Sequence, residues 1–182
     1  MNINILNQIL SFGIILIQAL IIVLIISLIS NYKKINDFFY KKANLFSLLL
    51  ALSGTLLSLF YSNIIGYEPC ELCWYQRIFL YPQVILFALA LMIKNKSIET
   101  IYNSLILSIL GGFVSGYQYF LQLGILPNVC SANSVSCEKI FFKDFGYITM
   151  PMMALTIFIF IIVLNIIQIK YLKENLLINP ES

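Results

Sequence analysis

The string ILSFGIILIQALIIVLIISLIS, residues 9–30, contains no charged side chain. A helix needs about 20 apolar residues to cross the hydrocarbon layer of a bilayer, and this run is long enough. Working outward, further uncharged stretches follow at Ala43–Tyr67, Ile78–Ile93, Thr100–Cys137 and Phe145–Ile169. The third reaches spanning length only by including Trp74 to Arg77. Pro127 and Asn128 end the fourth helix near Gly124. The many Ile and Val residues would suit strands in water. In lipid, however, a lone strand leaves its backbone polar groups unsatisfied, so runs of this length read as helices. The expectation is an all-α integral membrane fold with five spans.

Composition agrees. The chain is 60% hydrophobic and 10% charged, with mean hydropathy +0.92, whereas a soluble domain carries about 25% charged residues. The net charge of +3 is too small, and the uncharged runs too long, for nucleic-acid binding. There is no histidine, which excludes Ser-His-Asp and Cys-His catalysis, His-ligated metals and c-type haem attachment. The first span lacks a basic leader, exceeds the usual apolar length of a signal peptide and shows no small-residue cleavage site, so it reads as a retained helix.

Lys33, Lys34, Lys41, Lys42, Lys94, Lys96, Lys170 and Lys173 fall in the linkers 31–42, 94–99 and 170–182, while the other two linkers and their flanks hold Arg77, Lys139 and Lys143. The positive-inside rule puts the first set in the cytoplasm. The protein is then a multi-pass cell-membrane protein, N-terminus out and C-terminus in, with loops at about 63–76 and 124–147 on the oxidising side.

All four cysteines lie in those two outward loops: Cys70 and Cys73 in one, Cys130 and Cys137 in the other. Two membrane crossings separate the pairs, so they share a side in either orientation, and the outer side is where disulfides persist. A zinc site usually pairs two CxxC knuckles, and Cys130–Cys137 is not one, so no metal is expected. A structural bridge across a two-residue loop removes little unfolded-state entropy; such a pair suits redox cycling better. Pro69 favours an extended approach and a helix can begin near Cys73, so its sulfur sits near the positive end of a helix dipole, which favours a thiolate. Arg77, four residues on, lies over the same helical face. An arginine at the edge of an apolar span is read as functional: it can stabilise a thiolate and donate to a carbonyl oxygen of an electron acceptor, or else it snorkels to the interface. Cys130 and Cys137 enclose a small polar segment and read either as a loop-stapling disulfide or as an exposed pair open to an incoming thiolate. The phenylalanines and charges that follow suit a short helix in the membrane surface.

The string CELCWYQR, residues 70–77, followed by an apolar helix, resembles the signature of the bacterial disulfide bond formation protein B family. The later Cys130…Cys137 loop and FGYITMP, residues 145–151, resemble its shorter BdbC-type members. The resemblance covers about residues 43–169 and implies a four-helix membrane bundle, with 1–42 as an extra N-terminal helix and linker and 170–182 as a cytoplasmic tail. It further implies a membrane oxidoreductase that reoxidises an extracytoplasmic thioredoxin-like thiol oxidase and reduces ubiquinone or menaquinone. Carried onto this chain, Cys130 takes the mixed disulfide, Cys137 is its loop mate, Cys70 and Cys73 re-form the loop disulfide, Cys73 faces the quinone and Arg77 supports it. Gln76 matches the motif without a definite role. The extra span and the short loop depart from the classical pattern. A vitamin K epoxide reductase-like enzyme combines similar parts, but there the loop pair precedes the CxxC. A membrane scaffold with structural disulfides and a metal-binding receptor are the remaining alternatives.

Overall fold

The computed structural model describes residues 3–30, 32–93, 98–127, 130 and 135–178, with side chains of the last helix described to Glu174. Lys94, Lys96, Asn128, Ser131 to Ser134 and the last four residues, on which parts of the sequence reading fall, lie outside the described residues. Among the described residues five helices form: α1 (Ile3–Ile29), α2 (Lys33–Asn63), α3 (Glu71–Met92), α4 (Ile98–Gln122) and α5 (Met150–Ile178). Each is long and apolar enough to cross a membrane. Among the described residues there is no strand, only an isolated bridge between Asp144 and Ile148.

The bundle is organised around α5, whose apolar window is 56% buried against 17–33% for the other helices. One core cluster joins Ile21 and Leu24 of α1 and Ala43 of α2 to Phe160, Leu164 and Ile167 of α5. A second joins Ala51 of α2 and Leu80 and Phe87 of α3 to Phe158 and Ile161 of α5. Gly111 on α4 lies against the Phe158 ring, where an added Cβ would overlap it. Small residues at such contacts let helices approach where lipid provides no hydrophobic drive. Buried amides and hydroxyls tie the middle together. Ser104 and Ser108 donate to Gln83 Oε1, and Asn165 donates to Ser104.

The two ends differ in chemistry. At one end the start of α1 meets the end of α2 through a hydrogen bond from Tyr61 to Asn7, and the α4–α5 loop through one from Ser11 to Asp144. Both cysteine loops lie at this end. At the other, Ser27 donates to Asn36, Lys170 donates to the Leu28 carbonyl and Tyr171 to that of Lys33.

Four local expectations need correction. Residues 33–42 are not a linker, because α2 already begins at Lys33; this polar turn extends the helix past its apolar run, with Lys41 and Asp37 paired at i, i+4. The last span begins at Met150 rather than Phe145. Phe145 (φ 49°) and Gly146 (φ 81°) are left-handed and make the turn closed by the Asp144–Ile148 bridge. The α5 helix also continues into the expected tail, through Lys170 and Lys173. Finally, the segment after Cys137 is not a surface helix. Phe141 stacks on Tyr67 at 4.5 Å and Phe142 on Tyr61 at 5.9 Å, so aromatic neighbours rather than lipid take these rings.

Candidate functional site

The α2–α3 connection turns at Gly66 (φ 81°) and reaches Cys70 in extended geometry. Cys70 is the N-cap of α3: its sulfur accepts the Cys73 backbone N–H at 3.4 Å. Orphan N–H groups at a helix start need such a partner, and here a thiol provides it. Cys73 thus sits in the first turn of α3, at the helix N-terminus expected for it. The two sulfurs lie 2.8 Å apart, both as free thiols. The hydrogen bond to Cys73, with burial behind it, pushes the Cys70 thiol well above the usual thiol range.

A side chain not singled out in the sequence completes this pair. Gln118 of α4, 3% exposed, donates from Nε2 to Cys70 Sγ at 3.2 Å and Cys73 Sγ at 3.5 Å. Its Oε1 accepts from Gln76 Nε2 at 2.6 Å. Gln76 therefore orients the amide that faces both sulfurs, which gives the motif glutamine a physical role.

Arg77 is 9% exposed, with its guanidinium turned onto α2. Its Nε donates to Ser58 Oγ at 2.9 Å and its Nη2 to the Ser58 carbonyl at 3.2 Å, while Trp74 lies over the guanidinium at 5.0 Å. Guanidinium has five N–H donors in a fixed fork. No protein partner of Nη1 occurs among the described residues.

Cys130 and Cys137 form a disulfide, Cα–Cα 6.3 Å. The exposed pair of the sequence reading is corrected here. Cys137 is 1% exposed and packs with Cys70, Leu72 and Leu121, and Cys130 is half-buried at the edge of the same cluster. Because Cys73 also packs there, all four cysteines meet in one cluster. On α4, one turn beyond Gln118, Gln122 donates to the Lys139 carbonyl at 3.2 Å and so holds the loop just past Cys137.

Below Cys73 and Arg77 a cavity of about 300 Å³ runs into the bundle. Tyr67, Gln76 and Arg77 form its polar upper rim; Leu50, Ile157 and Ile17 mark its apolar lower part. Among the described residues no three His, Cys, Asp or Glu side chains are arranged to hold a metal ion.

Five spanning helices around a dithiol, a disulfide and an apolar cavity define a multi-pass membrane protein of thiol–disulfide chemistry. A family model described as Disulfide bond formation protein DsbB matches residues 40–168. The chain is similar to the SPbeta prophage-derived disulfide bond formation protein B of Bacillus subtilis, 38% identical over 144 residues, covering 77% of this chain and 96% of that protein. It is also similar to a probable disulfide formation protein of Oceanobacillus iheyensis, 41% identical over 124 residues (66% of this chain, 82% of the relative). One from Chlamydia pneumoniae is 37% identical over 138 residues (74% and 97%). The chain belongs to the disulfide bond formation protein DsbB family. No solved structure matches it.

Proposed function

We propose that the chain is a protein-dithiol:quinone oxidoreductase that reoxidises an extracytoplasmic thioredoxin-like thiol oxidase. The observation that carries this reading is the meeting of all four cysteines in one cluster, with Cys73 also on the wall of a cavity that leads into the apolar bundle. In this reading a thiolate of the partner attacks Cys130, the more accessible sulfur, and Cys137 leaves. The partner's second thiol then displaces Cys130, so the partner gains a disulfide and the loop holds two thiols. Cys130 and Cys137 next reduce a Cys70–Cys73 disulfide, returning the loop to its bridged form. This leaves the loop bridged and Cys70 and Cys73 as the reduced pair.

Two electrons and two protons must then leave Cys70 and Cys73. A strong thioredoxin-like oxidant has a potential near about −120 mV, so the acceptor needs a comparable or higher one. A membrane quinone takes up two electrons and two protons and closes the balance. The cavity fits such a molecule: its volume lies at the lower end of the range of about 300–1,000 Å³ for small-molecule sites, its polar rim lies beside Cys73, and its depth is apolar. Arg77, held by Ser58, would donate from Nη1 to a ring oxygen; Gln118 and Gln76 would keep the two sulfurs in register. The lysine-poor cysteine end faces outward and the Lys33 and Lys170 end faces the cytoplasm.

Cys73→Ser tests the reading against a scaffold with structural disulfides. It should abolish quinone reduction while Cys130 still exchanges with the partner dithiol. Undiminished disulfide formation in cells carrying Cys73→Ser as their sole copy would overturn the relay.

A further inference from the structure

The α1 helix lies outside the family match, which begins at residue 40, yet it forms one wall of the cavity below Cys73. Ile9, Leu10, Gly13, Ile14 and Ile17 all line it. At 1.5 Å per residue this stretch covers about 12 Å of helix axis. The α1 helix does not merely lean on the bundle through apolar packing. Its polar side chains Asn7, Ser11 and Gln18 recur at a helical spacing on one face. Tyr61 donates to Asn7, Ser11 to Asp144 (2.9 Å), Tyr147 to Gln18 Oε1 (2.7 Å) and Gln18 Nε2 to Thr156 (3.0 Å). A polar group left without a partner in hydrocarbon is costly, so these bonds fix the rotation of α1 and hold the Gly13 side toward the cavity.

Gly13 is the informative position. A Cβ built there meets nothing within 4 Å, so its smallness is not demanded by a packed neighbour. By contrast, a Cβ on Gly54, across the cavity on α2, comes within 2.9 Å of Ile157 and 3.1 Å of Leu80. The space beside Gly13 therefore belongs to the cavity.

We infer that α1 is the specificity wall for the isoprenoid tail of the quinone, with Gly13 keeping open the groove through which the tail passes. This rests on the quinone reading above. With the ring at the rim near Cys73 and Arg77, the apolar channel between α1, α2 and α5 is the continuation available to a prenyl chain. Filling it from Gly13 would obstruct a long tail and spare a short one.

The test compares quinones sharing one ring but carrying either a short alkyl or a long polyprenyl tail. In the full-length protein, Gly13→Phe should raise the ratio of KM for the long-tailed to KM for the short-tailed quinone by at least tenfold, and Gly13→Leu by less. Leu16→Phe, on a side chain 56% exposed and outside the cavity lining, should leave the ratio at its wild-type value. As a second measurement, independent of any variant, a quinone with a photoactivatable group in its tail should label the wild-type peptide 9–17. A working wild-type enzyme with an unchanged ratio in both Gly13 variants, or labelling confined to other helices, overturns this inference alone. No reduction of either quinone by the wild-type protein overturns it together with the proposed function.

Discussion

The side-chain amide of Gln118 donates to the Cys70 sulfur across 3.2 Å, bridging 48 positions of sequence and joining α4 to the cap of α3. The same nitrogen lies 3.5 Å from Cys73, so one buried amide faces both members of the dithiol. Removing it takes the shared side-chain donor from the buried Cys70 and the half-buried Cys73.

Gln118→Leu should therefore slow quinone reduction by roughly tenfold, since a buried hydrogen bond to a redox thiol is worth about 1–2 kcal/mol. Exchange between the partner dithiol and Cys130 should change far less. Gln118→Glu keeps the size but replaces the donating nitrogen by an acceptor and should be worse than Leu. Single-turnover kinetics separate the two steps, and a loss confined to partner exchange would contradict this role.

Arg77 gives a sharper contrast. Lysine keeps the charge but loses the planar fork that holds Ser58 twice and leaves Nη1 for an acceptor. Arg77→Lys should raise KM for quinone roughly tenfold to hundredfold, the cost of a charge-assisted bond of about 1.5–3 kcal/mol. Wild-type quinone kinetics in folded Arg77→Lys would reduce Arg77 to a structural tie between α3 and α2.

Much of this was legible in the sequence. Uncharged runs marked five spans because lipid tolerates no long charged stretch, and Pro69 before the cysteine pair marked the start of α3. What failed to show has physical causes. Phe141 and Phe142 have the pattern of a surface helix, but sequence periodicity does not distinguish lipid from the rings of Tyr67 and Tyr61. Cys137 sits in a small polar segment, so its burial follows from Leu72 and Leu121 closing over it. Gln118 lies in an apolar helix with several polar residues, among them Ser115 and Gln122, and only tertiary packing selects it. The helical stretch Lys33–Lys42 was hidden because charge ends an apolar run without ending a helix.

In the proposed relay, the burial difference within the loop pair predicts the order of exchange. Cys130 is half-buried while Cys137 is enclosed, so Cys137→Ala should trap a mixed disulfide between Cys130 and a thioredoxin-like partner. Cys130→Ala should trap none. Mass spectrometry of the adduct identifies the sulfur, and recovery through Cys137 would reverse the order.

Sidedness is checked by labelling. A membrane-impermeant maleimide applied to reduced intact cells should reach Cys130, whereas Lys34→Cys in a cysteine-free background should react only after lysis. The opposite pattern would invert the topology.

The most direct measurement mixes the purified, fully oxidised protein anaerobically with a membrane quinone and a reduced thioredoxin-like dithiol partner, following quinone absorbance. The account predicts stoichiometric loss of oxidised quinone, one per partner disulfide formed, and none with Cys73→Ser. Partner oxidation without quinone loss, or no reaction with either ubiquinone or menaquinone, would contradict it.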